Sequence, residues 1–388
     1  MTDAVQLTQD LVRCRSVTPD EGGALQLIAR LLEGAGFSVH LPEFSSPGLP
    51  EISNLYARYG TADPCFVFAG HTDVVPPGDE KAWTHPPFAA VIEDGKLYGR
   101  GAADMKSGVA ASIAAALDFI AANKNFKGSI AFLITGDEEG PAVNGTVKLL
   151  EWARARGEHF SHCLLGEPTC PQKLGDMIKN GRRGSLSGKL TVHGRQGHVA
   201  YPERAENPLP KLARLMLALA EPLDSGTPHF SASNLEITTV DTGNAATNVI
   251  PAESRCAFNI RFNDLWSAEA LGAEIRRRVE NAAAGAIRCT LEFGPSNSPP
   301  FVTAPGAFTA LVSRAIKEVT GLTPALSTTG GTSDARFIKD YCPVIEFGLA
   351  GNTMHQTDEH ALVEEIESLA RIYRKVLEIY FGDGLGGL

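Results

Sequence analysis

The clearest pattern along the chain is a series of short, almost unbroken apolar runs that stop at glycine and then at acidic or imidazole side chains. Ser129-Ile-Ala-Phe-Leu-Ile134 ends in Thr-Gly-Asp-Glu-Glu-Gly140, and Cys65-Phe-Val-Phe-Ala69 runs into Gly70-His-Thr-Asp-Val-Val-Pro76. A further apolar segment closes on Leu164-Leu-Gly-Glu-Pro-Thr169. Runs of this kind read as strands buried on both faces, the strands of parallel sheets whose functional loops leave from their carboxyl ends. Residues 3–15, 23–35, 107–122 and 144–156 have helical spacing, the second segment ending at Gly34 and Gly36 as helices commonly do. Strands alternating with helices predict an α/β fold, a central and mostly parallel sheet flanked by helices.

The periodicity changes near Gly181. Ser185-Leu-Ser-Gly-Lys-Leu-Thr-Val-His-Gly194 alternates with period two, followed by a helix near 207–220, strands near 233–240 and 254–262, a helix near 268–283 and a strand near 287–293. That order is the ferredoxin-like one, and it predicts an inserted α+β domain over 183–296. Pro295 and the prolines at 299 and 300 mark the return to the first domain, which is made of 1–182 and 297–388. A helix near 306–319, a strand near 343–347 and a long helix to about Tyr380 complete it, before a glycine-rich tail.

Composition narrows the function. A net charge of -10 argues against nucleic acid or an anionic membrane as partner. An anionic small substrate would need local cations in the site. Seven cysteines, scattered singly and odd in number, fit buried thiols in a reducing compartment better than a disulfide framework. Neither a signal peptide nor an apolar run near the ~18–20 residues that cross a bilayer is evident, so a cytoplasmic location is expected.

Candidate chemistry gathers at the strand ends. His71 and Asp73, two apart on an extended chain, face one way. Asp104 follows the glycine-bearing turn Gly99-Arg-Gly101, and Asp137, Glu138, Glu139 and Glu167 close two further runs. Taken singly, each has an ordinary explanation: a solvated turn for Asp-Glu-Glu, a helix cap for Asp104, a surface or core residue for His71. Together, acids and a histidine at several strand ends on one edge make a site, and adjacent carboxylates repel unless a cation lies among them.

Five segments in order carry a resemblance: Gly70-His-Thr-Asp-Val-Val-Pro76, Gly99-Arg-Gly-Ala-Ala-Asp-Met-Lys106, Gly136-Asp-Glu-Glu-Gly140, Gly166-Glu-Pro-Thr169 and Met354-His-Gln-Thr-Asp358. Over essentially its whole length the chain resembles the di-zinc amidohydrolases, the aminoacylase and carboxypeptidase-like family. The resemblance implies a zinc-peptidase-like catalytic domain and an inserted dimerisation domain. It also implies two Zn²⁺ per subunit, with cobalt or manganese able to occupy the same donors. Asp104 would bridge the ions, His71 and Glu167 completing one set of ligands and Glu139 and His355 the other. Asp73 would orient His71, Glu138 would be the general base, and His198 would hold the oxyanion, reaching a neighbouring subunit and so implying a homodimer.

Lys179-Asn-Gly-Arg-Arg-Gly-Ser-Leu186, Ala246-Thr-Asn-Val-Ile-Pro251 and Thr328-Thr-Gly-Gly-Thr-Ser-Asp-Ala-Arg-Phe337 resemble the members that remove a succinyl group. They point away from those that deacetylate acetylornithine. Arg182, Arg183, Arg261 and Arg336 are candidate carboxylate anchors, with Ser185, Asn248 and Thr332 as neighbours. Salt bridging is the plainer reading of Arg336 and of one of Arg182 and Arg183. A binding protein that keeps the scaffold without the activity would have lost ligands or the base, and all the candidates are present.

Overall fold

The computed structural model describes residues 2–382, so the glycine-rich tail lies outside the described residues. The chain divides into two compact units. The first contains the residues up to Asn180, Thr303–Ser327 and those from Ser333 on; the second contains Gly181–Val302 and Thr328–Thr332. These divisions fall outside the expected 182/183 and 296/297. The reason is a short antiparallel ladder, Gly181 against Val302 and Arg182 against Phe301, which ties both chain crossings to the second unit.

The first unit is built on an eight-stranded sheet. Its order is Ser38–His40, Leu55–Tyr59, Ser129–Thr135, Cys65–His71, His162–Leu165, Val344–Glu346, Met177–Lys179 and Ala325–Ser327. The four strands from Ser129–Thr135 to Val344–Glu346 run parallel. Antiparallel pairings lie outside them, so the sheet is mixed with a parallel centre. Every residue of Cys65–His71 and of Ser129–Thr135 is buried, as expected for strands covered on both faces.

Helix Ser107–Ala122 packs so closely that a Cβ on Gly108 would meet the Gly166 carbonyl oxygen at 2.3 Å. Glycine there lets the start of the helix approach the strand end that carries Glu167 at backbone distance. Ala102–Ala122 is long and apolar enough to cross a membrane by length and composition, but Asp104, Lys106 and Asp118 interrupt it, 78% of its apolar stretch is buried, and it is a core helix. A small antiparallel sheet, Val91–Glu93, Lys96–Tyr98 and His360–Leu362, is too short to have a sequence signature. It sets the segment after His355 beside the turn that carries Asp104.

In the second unit the antiparallel sheet runs Asn234–Asp241, Glu253–Phe262, Gly184–His193, Cys289–Phe293, the ferredoxin-like order. Strand Glu253–Phe262 alternates strictly. Cys256, Phe258, Ile260 and Phe262 face the core shared with helices Pro208–Leu219 and Ala268–Ala283, while Asn259 and Arg261 face the other way. Asp224 organises one end, accepting from the Gly226 and Ser233 N–H groups, Asn263 Nδ2 and Trp266 Nε1.

Candidate metal centre

Parallel strands put their carboxyl ends on one edge, and in the first unit that edge carries the chemistry. His71 is the last residue of its strand and lies beside Thr135, from which the Asp137–Glu139 loop departs. Glu167 follows the neighbouring strand His162–Leu165. Asp104 comes from the Ala102–Lys106 turn, and it does not cap the following helix, which begins with no side-chain cap.

The two oxygens of Asp104 face two different histidines. Oδ1 lies 3.2 Å from His71 Nε2, and Oδ2 lies 3.4 Å from His355 Nε2. His71 Nε2 is 3.8 Å from Glu167 Oε1, and His355 Nε2 is 2.7 Å from Glu139 Oε1. Two clusters thus share one carboxylate: His71, Asp104 and Glu167, and Asp104, Glu139 and His355, each with its donor atoms within 4.8 Å of one another. Glu138 stands next to both, within the same reach of His71 and Glu139.

The electrostatics of the cluster call for positive charge. Burial pushes the Glu138 carboxyl well above the usual carboxylate range; the His71 charge opposes it, and Asp334, Glu139 and Asp104 add to the rise. Burial likewise pushes Glu167 well up, with Asp104 adding to it. His71 is held well above its ordinary value: burial opposes this, but Asp104, Glu167 and Glu138 outweigh it. Contacts with Asp104 and Glu139 push His355 up to about 10. For Asp104, burial is overcome by the two histidines, and its carboxyl is held well below the ordinary range. Glu167 Oε1 is buried with no hydrogen-bond partner in the protein. A set of carboxylate and imidazole donors with an orphaned, buried oxygen fits divalent cations of the zinc type.

The three adjacent acids have separate places. Asp137 Oδ2 accepts from the Val143 and Asn144 N–H groups at 2.9 Å each and folds the loop. Glu138 and Glu139 project from it toward the cluster. Asp73 departs from expectation. His71 Nδ1 lies 2.9 Å from the Asp73 backbone carbonyl, whereas the carboxylate is 3.7 Å away. Instead the carboxylate accepts from the backbone N–H groups of Glu138 at 3.2 Å and Glu139 at 3.0 Å. The carbonyl therefore orients the imidazole, and the carboxylate holds the acidic loop.

Sequence reasoning missed three buried residues here. Arg100 and Glu359 form an ion pair beneath the Asp104 turn. Asp334 is the acid whose charge, after burial, contributes most to raising Glu138. The only signal for Asp334 was its place in the Thr328–Phe337 segment. Arg336 pairs loosely with Asp334 at 3.7 Å and is itself buried, which agrees with salt bridging rather than ligand anchoring.

In the second unit, Ser185 and Asn234 both lie opposite Arg261 on neighbouring strands. Arg183 donates to Asn234 Oδ1 at 2.8 Å, and Asn259 Nδ2 donates to Ser185 Oγ at 3.2 Å. Burial, and then the neighbouring Arg183 charge, lower the Arg261 pKa. Among the described residues neither Arg183 nor Arg261 has a carboxylate within ion-pair distance, so the two guanidinium groups form an uncompensated cationic patch. Arg182 is buried and donates to the Gly331 carbonyl at 3.2 Å, next to Thr332. His198 and Asn248 are exposed and adjacent, because the Gly197–His198 strand pairs with Val249–Ile250.

Residues 67–379 match the family model described as peptidase family M20/M25/M40. A succinyl-diaminopimelate desuccinylase of Methylorubrum extorquens is 66% identical over 377 residues, covering 97% of this chain and 98% of its own. The M20 family metallo-carboxypeptidase Sso-CP2 of Sulfolobus solfataricus superposes with a TM-score of 0.80 at 15% identity, over 98% of this chain and 99% of its own. The Bacillus subtilis YXEP protein, a dinuclear metal binding peptidase, gives a TM-score of 0.71 at 17% identity, over 97% of each chain.

Proposed function

The chain belongs to peptidase family M20/M25/M40 and is a hydrolase of that family, and we propose that its reaction is the hydrolysis of N-succinyl-LL-2,6-diaminopimelate to succinate and LL-2,6-diaminopimelate. This would make it a cytoplasmic succinyl-diaminopimelate desuccinylase supplying lysine and peptidoglycan precursors. The observation that carries the reading is the pair of Asp104 oxygens, each shared with its own histidine and its own glutamate.

His71, Asp104 and Glu167 would hold one Zn²⁺, and Asp104, Glu139 and His355 the other; cobalt suits the same donors. Bound there, the ions would polarise the amide carbonyl and make a water molecule more acidic. Glu138 takes a proton from the attacking water as its oxygen bonds to the carbonyl carbon. It returns that proton to the nitrogen as the carbon–nitrogen bond breaks, releasing the amine and succinate. His198 would donate to the oxyanion of the tetrahedral adduct in a neighbouring subunit. Arg183 and Arg261 offer paired N–H groups to a substrate carboxylate, with Arg182, Ser185, Asn248 and Thr332 as polar neighbours. A homodimer through the second unit accords with the exposed Val199, Tyr201, Leu209, Leu217 and Val240 of that unit.

The test is amine release from N-succinyl-LL-diaminopimelate and, in parallel, from N-acetylornithine, using the wild type and Glu138→Gln. The succinyl compound is the expected substrate, and Glu138→Gln should lower its turnover by roughly 10²–10⁴-fold. Turnover of acetylornithine alone would overturn the substrate assignment, and full activity of Glu138→Gln would remove the base.

A further inference from the structure

An ion pair buried beneath the cluster has no part in the chemistry described above. Glu359 is fully buried and Arg100 is 2% exposed, and their closest approach is 2.6 Å. Placing two charges in a dry interior is unfavourable unless their remaining donors and acceptors are used. Here all of them but Arg100 Nε, which is buried without a partner, are used on the backbone of the loops that carry the candidate ligands. Glu359 Oε1 accepts from the N–H groups of Ala103 at 2.9 Å and of Asp104 itself at 3.1 Å. Arg100 Nη1 reaches the Gln356 carbonyl at 3.3 Å, and Nη2 reaches those of His355 and Pro76, both at 3.5 Å. The guanidinium also lies over the Trp83 ring, 5.2 Å from its centroid.

Three segments therefore meet on one fork: the one following His71, the turn bearing Asp104 and the loop bearing His355. We propose that Arg100 and Glu359 are positioning residues that fix the separation between Asp104 and His355, and so the geometry of the cation position formed with Glu139. The inference rests on the two-cation reading given above.

The two cation positions differ in how they are supported. His71 ends a central strand, and Glu167 lies two residues beyond another. His355 belongs to no strand and has a positive φ of 60°, a conformation that a non-glycine residue keeps only when its surroundings impose it. Besides the Thr353–His360 hydrogen bonds and that of Gly99 N–H to the Glu359 carbonyl, side chains hold its loop at two points. At one, the Asp358 carboxylate accepts from Thr84 N at 2.7 Å and Oγ1 at 2.8 Å; at the other is the Arg100–Glu359 pair. Lysine cannot replace the fork, because one ammonium on a flexible stem does not present parallel N–H groups to several loops.

The experiment titrates chelator-treated wild type, Arg100→Lys and Glu359→Gln with Zn²⁺ against a chromophoric competitor, with metal-free unfolding curves as control. Glu359→Gln keeps an oxygen for the two N–H groups, so it supplies the answer if Arg100→Lys does not fold. The expected result is one site kept within about threefold and the other weakened by roughly 10–100-fold, the range for outer partners of metal ligands. Both sites unchanged, or both weakened equally with a loss of cooperative unfolding, would overturn the positioning role. Fewer than two sites in the wild type would overturn the two-cation reading itself, and this inference with it.

Discussion

Replacing Asp73 by asparagine separates two accounts of that residue. The carboxylate accepts two partly buried backbone N–H bonds, from Glu138 at 3.2 Å and Glu139 at 3.0 Å, while the contact with His71 Nδ1 is made by the Asp73 carbonyl, which the substitution leaves in place. Asparagine keeps one acceptor and turns an NH₂ toward the other N–H, leaving a partly buried donor unsatisfied. A charge-assisted bond of about 1.5–3 kcal/mol is lost and an orphaned donor costs about 1–3 kcal/mol, so the loop should lose about 2–4 kcal/mol after partial relaxation. Burial raises the Asp73 carboxyl to about 7, opposed by the His71 charge and the two N–H groups; because the folded value lies above the unfolded one, the contribution is present at low pH and is lost as pH rises toward that value, so the loss on substitution should shrink over that range. Chemical denaturation of the metal-free protein reads the stability, and chelator competition reads the two cation affinities. The cation position containing Glu139 should weaken by roughly 10–100-fold while that of His71 and Glu167 persists. If the His71–Glu167 position weakens instead, the carboxylate acts through His71 and the loop-holding role is wrong.

In the second unit, burial works to raise the Asp224 pKa, but hydrogen bonds from Ser233, Trp266 and Gly226 outweigh it and hold the carboxyl at about 2. Because the folded value lies below the unfolded one, its contribution is present above about pH 4 and is lost as pH falls toward 2. Asp224→Asn should destabilise the protein by about 2 kcal/mol at neutral pH and flatten that acid limb in a pH series of denaturation midpoints; an unchanged acid limb would contradict this. Arg261→Leu should raise KM for the succinyl substrate by roughly 10–100-fold with a smaller change in kcat, as expected when a charge-assisted contact is made in ground and transition states alike. An unchanged KM would take the Arg183–Arg261 patch out of substrate binding.

The parallel centre of the sheet was legible because its strands are continuous apolar runs, and helix Ser107–Ala122 because its periodicity is long. Strands of three residues, such as Met177–Lys179 and Ala325–Ser327, are fixed by their neighbours and leave no pattern. The true crossings between the units were illegible for the same reason: the ladder of Gly181–Arg182 with Phe301–Val302 has only two residues on each side. In the site, the residue types at the strand ends were visible, but their division of labour came from the family resemblance and not from the residues themselves. Asp137, Glu138 and Glu139 look alike until the loop turns one of them inward onto its own backbone. The choice between the Asp73 carbonyl and carboxylate depends on where that loop lies. Arg100 and Glu359 are 259 residues apart, and nothing local announces their pairing.

The central claim is that the residues around Asp104 hold two divalent cations and that amide hydrolysis depends on them. Its most direct test is to strip the protein with a chelator, add Zn²⁺ stepwise, and follow both bound metal and succinate release from N-succinyl-LL-diaminopimelate. The stripped protein should show no activity, and the rise on adding metal should level off at two ions per chain. Full activity after stripping, or a plateau with no bound metal, would contradict the claim.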